Sequence, residues 1–419
     1  MIKEEKTKSI PITKQMVWKA YQKVKRNGGS AGVDGESLEN FQVDLSKNLY
    51  KIWNRLSSGS YFPPQVKEVS IPKGNGGTRT LGVPTVGDRI AQEVIKSYLE
   101  PRLELIFVED SYGYRPLKSA HQAVEAVREN VRNYAWVVDM DIRSFFDEVD
   151  HDLIMKALAI HVTEPWVKLY IKRWLEAPML LMTGEQKVRA GRGTPQGGVI
   201  SPLLANLFLH YVLDKWLEKH HQSISFVRYA DDVILHCDTE EEAKDLLVAV
   251  KARLHECRLR LHEEKTKIVY CQDYRREKKH YGKKFDFLGF SFKPRSMKSN
   301  RQAGGMFLGY DCAISSSSRR KITDEIKRTN FHRWSTATIE QIAAMFNSKL
   351  RGWLNYYGKF KRYEMNRVFR VFHFRLMKWV LNRYKSLKGS KVKGYAWIRK
   401  LRKERPTIFY HWSAGFYQI

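Results

Sequence analysis

Two consecutive aspartates, Asp231 and Asp232, lie inside a mainly apolar stretch that runs from Ser225 to Leu235. Adjacent carboxylates are costly in apolar surroundings, because like charges repel and burial removes their water. A bound cation offsets this cost, and Mg²⁺ takes hard oxygen ligands from one or two carboxylates together with substrate phosphates. The pair therefore predicts a divalent metal site at the tip of a hairpin, although Asp also forms ordinary tight turns.

Two-metal phosphoryl transfer, with the ions about 4 Å apart, requires a further carboxylate beside the pair. Candidates lie in Ala135 to Asp147, where an apolar strand leads into Asp139 and Asp141. Both are therefore possible partners of the aspartate pair.

Three ordered segments resemble reverse transcriptases. Residues 138–147, with Val-Asp-Met-Asp and then Phe-Phe-Asp, are similar to motif A, and 229–232, Tyr-Ala-Asp-Asp, about 90 residues further on, to motif C. Between them, Arg192 to Asn206 is similar to the segment that these enzymes place under the template and the incoming nucleotide.

The resemblance narrows to the reverse transcriptases encoded by bacterial group II introns and their free-standing relatives. Gly28 to Gly35 is similar to the family's N-terminal lid motif, and Ile71 to Arg79 to its first fingers motif. Three further matches follow in family order, at Tyr112 to Pro116, Leu261 to Lys267 and Phe287 to Phe290. The set covers the chain from about residue 28 to residue 292, and its order makes it specific.

The resemblance implies that Asp141, Asp231 and Asp232 are catalytic and bind two Mg²⁺ ions, for which Mn²⁺ can substitute. Asp141 is chosen over Asp139 because the family places an aromatic residue five positions after the ligand, here Phe146. We expect Asp139 on the opposite face of the strand, exposed or in a salt bridge.

The resemblance also implies four contacts to the incoming dNTP. Lys73 and Arg79 would neutralise its triphosphate, Phe146 would exclude a ribonucleotide 2′-hydroxyl, and Gln196 lies beside two glycines that admit close backbone approach. The alternatives are solvated turn charges, a core phenylalanine and a structural turn. Ser201 is expected to cap the helix that follows.

Lys265 falls where polymerases keep a candidate general acid for pyrophosphate departure, although a surface ion pair is an equal alternative. We also predict contacts to template or primer, at Gly32, Arg115, Tyr229, Arg351 and Lys359. For the lid that contains Gly32, the alternative is an ordinary turn between helices.

The charge is unevenly distributed along the chain. The formal net charge is +29, and residues 291–419 carry +23 of it, with 29 lysines and arginines against 6 acidic residues. Such a balance is typical of a polyanion binder. In 351–363, basic residues alternate with Trp, Tyr and Phe, which can stack bases or form one apolar helix face. The last third is thus predicted to hold RNA.

The predicted fold class is α+β, a right-hand polymerase with fingers and palm (antiparallel sheet plus helices) followed by an α-helical thumb or maturase domain. Helices are expected at 13–26 and 38–56, a hairpin at 66–83, palm strands at 136–139, 225–229, 233–237 and 267–271, palm helices at 203–219 and 240–255, and thumb helices at 319–329, 339–357 and 363–384, since the pattern turns helical after Phe292. The predicted domains are 1–60 (extension with the lid), 61–292 (fingers and palm), 293–386 (helical thumb and maturase) and 387–419 (a short basic segment resembling a truncated DNA-binding segment).

The predicted function is RNA-directed DNA synthesis from a DNA or RNA primer with dNTPs, together with binding of group II intron RNA as a splicing maturase. Two alternatives remain: an active enzyme detached from an intron, serving defence or repair, and a splicing cofactor without polymerase activity. No endonuclease domain is expected after the thumb. The sequence has no apolar run of roughly 18 residues, no signal peptide and no C-x-x-C spacing, which favours a bacterial cytoplasmic protein.

Overall fold

The computed structural model describes residues 10–72, 77–278, 281–298 and 305–417. The chain forms two compact units, one comprising Met1–Ala123 and Val138–Ile268, the other Val124–Val137 and Val269–Ile419. The mixed α+β class is confirmed.

Helices of the first unit are α1 (Lys14–Asn27), α2 (Leu38–Val43), α3 (Leu45–Ser57), α4 (Val86–Glu104), α6 (Phe145–Glu148), α7 (His151–His161), α8 (Pro165–Glu176), α9 (Ser201–Leu209), α10 (Lys215–His220) and α11 (Glu240–Glu256), and α5 (Ala120–Asn133) spans the division. Its strands are β1 (Val66–Pro72), β2 (Thr78–Val83), β4 (Met179–Leu180), β5 (Gln186–Lys187), β6 (Ser225–Tyr229) and β7 (Asp232–Cys237), and β3 (Trp136–Asp141) and β8 (Lys267–Tyr270) span the division.

The N-terminal helices follow the predicted periodicity with one interruption. Thr13 and Ser37 cap α1 and α2 by accepting hydrogen bonds from backbone N–H groups of the first turn. The helix predicted over 38–56 is divided at Asp44, whose φ of −110° and ψ of 40° are not helical. Sequence periodicity does not register a single such residue, because the apolar face continues across it.

Two sheets belong to this part of the chain. Strands β1 and β2 form the predicted antiparallel hairpin within a sheet of order β2-β1-β4-β5. The second sheet has the order β6-β7-β3-β8, and β6 and β7 pair antiparallel. The bounds of β6 agree with the prediction, and β7 begins one residue earlier, at Asp232.

The helix predicted over 203–219 is continuous but changes its hydrogen bonding. A five-residue π-helix, His210–Asp214, lies between α9 and α10. Ser201 is the first residue of α9 and not its cap; Ile200 occupies the cap position, and the Ser201 hydroxyl accepts a hydrogen bond from Thr194. The wider turn of the π-helix changes the direction of its side chains relative to a regular α-helix, including that of its last residue, Asp214.

The second unit contains a sheet that the sequence did not predict. Strands β9 (Phe285–Phe287), β10 (Phe290–Lys298) and β11 (Met306–Ile314) form antiparallel pairs in the order β11-β10-β9. The prediction that the chain turns helical after Phe292 is therefore wrong for this segment. Lysine, arginine, serine and Pro294 interrupt the apolar alternation of β10, so a strand is not evident from the pattern.

The helices of the second unit share one core. They are α12 (Ser316–Arg328), α13 (Ile339–Tyr357), α14 (Asn366–Arg383), α15 (Lys391–Glu404) and α16 (Tyr410–Ser413). Ile398, Leu401, Phe409, Trp412 and Phe416 are buried in the same apolar cluster as α13 and α14. The segment predicted to be separate, 387–419, thus contributes to the helical core through these five buried residues.

Two further predictions concern the whole chain. None of the helices in the described ranges combines the length and apolarity that crossing a membrane requires. Cys237, Cys257, Cys271 and Cys312 are buried free thiols.

Candidate active site

The two consecutive aspartates lie at the tip of the β6-β7 hairpin. Tyr229 pairs with Asp232 across the hairpin, which leaves Ala230 and Asp231 as the two central turn residues. Ala230 has a φ of 57°, a left-handed conformation that two-residue hairpins favour at this position and that usually selects glycine. We call residues 229–232 the catalytic turn.

Asp141 is the last residue of β3, a neighbour of β7 in the sheet, and it adds a third carboxyl to the pair. Desolvation by the surrounding protein and the nearby Asp141 carboxyl raise the pKa of Asp231. Solvent reaches Asp232, but desolvation and the charges of Asp231 and Asp141 raise its pKa to about 6. Asp141 is therefore close enough to disfavour the ionised forms of Asp231 and Asp232, which is the condition that a bound cation relieves.

Lys265 contacts this group directly. Its ammonium donates a hydrogen bond to Asp141 Oδ2 at 2.7 Å. The ion pair weighed as an alternative is present, and its partner is the predicted metal ligand itself. Lys265 therefore lies at the site, where its ammonium could leave Asp141 for a ligand that brings negative charge.

Asp139 was predicted to lie on the face of β3 opposite to Asp141. The structure places the two aspartates on the same face. In a strand, alternate residues share a face, and Asp139 and Asp141 are both half-buried while Met140 between them is buried. The prediction is wrong because it applied the alternation to residues two positions apart. Asp141 differs from Asp139 in its contact with Lys265 and in its electrostatic effect on the catalytic turn.

The donor set fits Mg²⁺ in its chemistry, since all three groups are carboxylates. Across the described ranges, however, no three acidic, histidine or cysteine side chains are already gathered as a metal-binding group. Mg²⁺ usually keeps several waters and binds through one or two carboxylates plus substrate phosphates. The arrangement is thus compatible with a metal held jointly by protein and nucleotide.

Two of the predicted dNTP contacts touch each other. Arg79 Nε donates to Gln196 Oε1 at 2.7 Å, and the Arg79 guanidinium is near enough to Asp231 to lower its pKa against the larger effect of desolvation. Arg79 is exposed and can reach a ligand. Lys73 lies outside the described residues.

The loop around Gln196 is held from two sides. The Gln196 carbonyl accepts a hydrogen bond from Gly82 N at 2.7 Å, and a Cβ at Gly197, where φ is 118°, would lie 2.6 Å from Gly82 O. On the other side, buried Gln92 accepts from the backbone N–H groups of Val199 and Ile200. These contacts show why glycine is needed beside Gln196.

Phe146 lies in the short helix α6, which begins four residues after Asp141, the last residue of β3. Its side chain is 6% exposed and meets Phe145 edge-on, with the ring centroids 5.4 Å apart. Its carbonyl accepts a hydrogen bond from Thr194 N at 2.7 Å, which links it to the Gln196 loop. The role of Phe146 as a sugar gate stays a prediction.

Tyr114 is a site residue that the sequence analysis did not single out. It is 53% exposed, has a φ of 58°, and its ring centroid lies 6.3 Å from that of Tyr229. Desolvation and the charge of Asp231 raise its pKa. In a structure, an exposed tyrosine with a left-handed backbone conformation stands out as unusual. In the sequence, no residue type or spacing near Tyr114 predicts this conformation.

The lid motif is fixed by a buried arginine. The Arg89 guanidinium on α4 donates to the carbonyls of Gly28 and Ser30, both at 2.9 Å. Gly32 is buried, and a Cβ there would lie 2.7 Å from the backbone of Thr85. The missing side chain of Gly32 therefore accommodates the protein's own backbone, and its contact with the template stays a prediction.

Arg115 is also directed inward. Its guanidinium is paired with Glu104 at 2.6 Å and donates to the carbonyls of Val108 and Ser111. Its side chain is 4% exposed. These internal partners give no support to a template contact of Arg115, which stays a prediction, whereas Tyr229 is half-buried.

In the second unit, Arg351 and Lys359, both in the basic and aromatic stretch 351–363, are exposed. The Arg351 guanidinium lies 5.0 Å from the ring centroid of Tyr410. Leu354 is buried, with Trp353 and Tyr357 packed against the same core. The stretch therefore has its aromatics mainly inside and these two cations outside.

A family profile described as "Reverse transcriptase (RNA-dependent DNA polymerase)" matches residues 71–292, and one described as "Group II intron, maturase-specific domain" matches residues 319–397. Protein YkfC of Escherichia coli K12 is 32% identical over 286 residues, which cover 58% of this chain and 73% of YkfC. Group II intron-encoded protein LtrA of Lactococcus lactis subsp. cremoris is 31% identical over 253 residues, covering 60% of this chain and 40% of LtrA.

The chain thus spans less than half of the length of LtrA. Among solved structures, telomerase from Candida albicans aligns with a TM-score of 0.46 and 12% identity, over 90% of this chain and 67% of that one. The reverse transcriptase profile alone extends over more than half of the 419 residues. The chain belongs to the group II intron reverse transcriptase and maturase family.

Proposed function

We propose that this protein is an RNA-directed DNA polymerase that extends a DNA or RNA primer with dNTPs, and that it also binds group II intron RNA as a splicing maturase. The observation that carries the polymerase proposal is the convergence of Asp141, Asp231 and Asp232, where desolvation and the Asp141 carboxyl raise the pKa of both turn aspartates. A protein that only binds RNA has no need of such a costly group of acids. Family membership supports both parts of the proposal.

The chain's own residues divide the work at this site. Asp141 and the catalytic turn would hold two Mg²⁺ ions, which when bound supply charge neutralisation and activation of the primer 3′-hydroxyl. Arg79 would leave Gln196 to meet the triphosphate. Lys265, already beside Asp141, would be placed to donate a proton to departing pyrophosphate.

Primer extension on an RNA template tests this directly. We expect the wild type to add dNTPs in the presence of Mg²⁺ or Mn²⁺ and to stop with EDTA. Asp141→Asn should abolish extension, whereas Asp139→Asn, two residues away on the same face, should retain most of it. Equal activity of these two variants would remove Asp141 from the site.

The sugar gate has its own test. If Phe146 blocks the 2′-hydroxyl, Phe146→Val should raise incorporation of ribonucleotides relative to deoxynucleotides while extension with dNTPs persists. Phe145→Val is the matched control, since Phe145 is the adjacent buried aromatic residue. An unchanged nucleotide ratio in active Phe146→Val protein would make Phe146 a core residue only.

Binding to intron RNA is proposed for the second unit. Arg351→Glu with Lys359→Glu should weaken binding of a structured group II intron RNA and reduce its dependence on salt, because fewer phosphates are neutralised. Lys172→Glu with Lys219→Glu, exposed cations of the first unit, is a charge-matched control. Equal losses in both variants would indicate a nonspecific charge effect.

An enzyme detached from an intron and a splicing cofactor without polymerase activity are the alternatives. Loss of splicing assistance without loss of extension in Arg351→Glu/Lys359→Glu would separate the two activities in one protein. The four buried free thiols fit a reducing compartment, and we expect the bacterial cytoplasm.

A further inference from the structure

A buried ion pair lies directly behind the catalytic turn. Arg228, the fourth residue of β6, and Asp214, the last residue of the π-helix, both have fully buried side chains. Arg228 donates from Nε to Asp214 Oδ1 at 2.7 Å and from Nη2 to Asp214 Oδ2 at 2.5 Å. A buried pair of this kind often gives little net stability compared with apolar residues of similar volume, so stability alone does not account for it.

The third nitrogen of the Arg228 guanidinium, Nη1, reaches the catalytic turn. Its Nη1 donates to Asn206 Oδ1 at 3.0 Å and to the carbonyl of Ala230 at 3.3 Å. Asn206, itself buried on α9, donates from Nδ2 to the carbonyl of Gly113 at 2.7 Å. One guanidinium thus ties together a helix, a strand and the turn that carries the aspartates.

The backbone of Arg228 completes the connection. Its N–H donates to the carbonyl of Asp110 at 2.9 Å, and its carbonyl accepts from Tyr112 N at 2.8 Å. The chain then brings Gly113 so near Ala230 that a Cβ on Gly113 would collide with the Ala230 nitrogen. The segment before Tyr114 and the catalytic turn are therefore packed against each other through Arg228.

Ala230 needs such support. A non-glycine residue with φ near 57° occupies a sparsely populated region, and it stays there only where the surroundings determine its conformation. The contacts that do so here are the Arg228 hydrogen bond and the close approach of Gly113. The π-helix contributes by turning Asp214 toward Arg228, and single π-helical turns occur frequently at functional sites.

We propose that Asp214, Arg228 and Asn206 form a buried positioning frame that sets the geometry of the catalytic turn, and with it the metal-binding carboxylates Asp231 and Asp232. None of the three touches substrate; each acts through the turn. The proposal rests on the proposed polymerase function and adds to it the residues that hold the active carboxylates in place.

The decisive variant is the double substitution Asp214→Leu/Arg228→Met. It replaces the ion pair by apolar side chains, a change that buried pairs often tolerate in stability, but it removes the donors to Ala230 and Asn206. Misplacement of the carboxylates by about 1 Å should lower kcat for single-nucleotide addition about a hundredfold. The KM for dNTP should change little, because Arg79 and Gln196 are untouched.

Mn²⁺ binding, followed by electron paramagnetic resonance, gives a readout that does not depend on activity. We expect the double variant to bind Mn²⁺ at least about tenfold more weakly than the wild type, since two carboxylates share its coordination. Leu56→Ala is the control for lowered stability, because it creates a cavity at a fully buried position of α3 in the same unit. It should retain wild-type kcat and Mn²⁺ affinity below its melting temperature.

Arg228→Lys and Asn206→Ala decide the case if the double variant fails to fold. Lysine keeps the charge beside Asp214 but cannot supply all the hydrogen bonds of the guanidinium, so kcat and Mn²⁺ affinity should both fall, by less than in the double variant. Folded variants with wild-type kcat and wild-type Mn²⁺ affinity would overturn the proposal.

Failure of the polymerase proposal gives a different result from failure of the positioning frame. A wild type that binds Mn²⁺ through Asp231 and Asp232 but extends no primer would refute the polymerase proposal, and the frame would then be judged by Mn²⁺ affinity alone. A wild type whose Mn²⁺ binding is unaffected by Asp231→Asn/Asp232→Asn would refute the frame as well.

Discussion

Two groups of acidic residues in this protein have opposite electrostatics. At the catalytic turn, Asp231 and Asp232 lie beside Asp141, and desolvation and mutual repulsion raise the pKa of both turn aspartates. In the second unit, Asp311 on β11 is buried between Arg128 at 2.7 Å and Lys361 at 3.1 Å. Burial would raise its pKa, but the hydrogen bond and charge of Arg128, together with hydrogen bonds from Cys312 N and Lys361, outweigh burial and lower it.

The difference separates a functional group of acids from a structural one. Asp311 has the cations that its charge requires, so it contributes to the stability of the folded chain. In the described part of the chain, Lys265 and the nearby Arg79 act to lower the pKa of Asp231, yet that pKa stays raised, so the negative charge of the predicted catalytic carboxylates is left for a ligand to neutralise. Incompletely compensated acids therefore indicate where a cation is to be bound.

The largest expected effect is on activity. Asp232→Asn and Asp231→Asn should each reduce primer extension at least about a thousandfold, because metal coordination is lost. Without metal, both variants should melt at or above the wild-type temperature, since one repelling charge is removed. Asp238→Asn, an exposed aspartate just after β7, controls for the change in net charge and should remain active. A marked loss of stability in the turn variants would contradict the comparison.

Asp311→Asn should have the reverse profile. Leaving Arg128 and Lys361 without their carboxylate should lower the free energy of unfolding by about 3 kcal/mol, measured by urea denaturation. Because the folded-state pKa of Asp311 is lowered, its contribution is present above about pH 4 and is lost as the pH falls through the folded value. The difference between wild type and variant should therefore shrink below about pH 4.

Asp324→Asn is the control for this variant. Asp324 is in the same unit, in an i,i+3 pair with Lys327 on the surface of α12, and should contribute less than about 1 kcal/mol. Similar losses from Asp311→Asn and Asp324→Asn would mean that the Asp311 cluster is not the stabilising group described here.

Addition of Mg²⁺ to the wild type should distinguish the acids of the catalytic turn from the Asp311 cluster without a substitution. At a tenfold excess over its dissociation constant, Mg²⁺ should stabilise the wild type by about 1.4 kcal/mol, seen as a higher melting temperature than in NaCl of equal ionic strength. Asp231→Asn/Asp232→Asn should lose this gain, and Asp324→Asn should keep it. A gain that persists in the double turn variant would place the metal elsewhere.

The smallest effect concerns strain. Ala230→Gly should relieve the left-handed backbone of the turn and change the free energy of unfolding by less than about 1 kcal/mol. At the same time, a more flexible turn should lower kcat modestly, because the carboxylates are less firmly placed. Ala243→Gly, in α11, should be destabilising instead, since glycine disfavours helix. Equal destabilisation at both positions would show that the turn is unstrained.

The sequence by itself determined the chemistry and the local elements that carry it. The strand Ser225–Tyr229 and the hairpin Val66–Val83 follow from residue types and alternation, which are local properties of the chain, whereas the choice of Asp141 followed from the family resemblance. Helix bounds agreed for the same reason wherever one apolar face continued, as in Ile339–Tyr357. The break between α2 and α3 at Asp44 was not predicted, because a periodic pattern does not reveal a single non-helical residue.

Only the tertiary structure decided which charged residues face outward. Arg79 and Arg115 look alike in sequence, yet one lies beside Asp231 and the other is enclosed by Glu104 and backbone carbonyls. Pairing of Arg228 with Asp214 depends on a π-helix and a strand meeting, and the Asp311 cluster on residues nearly two hundred positions apart. Periodicity reports which face a residue occupies, whereas the partner across that face is set by long-range packing, which a single sequence does not encode in any local pattern.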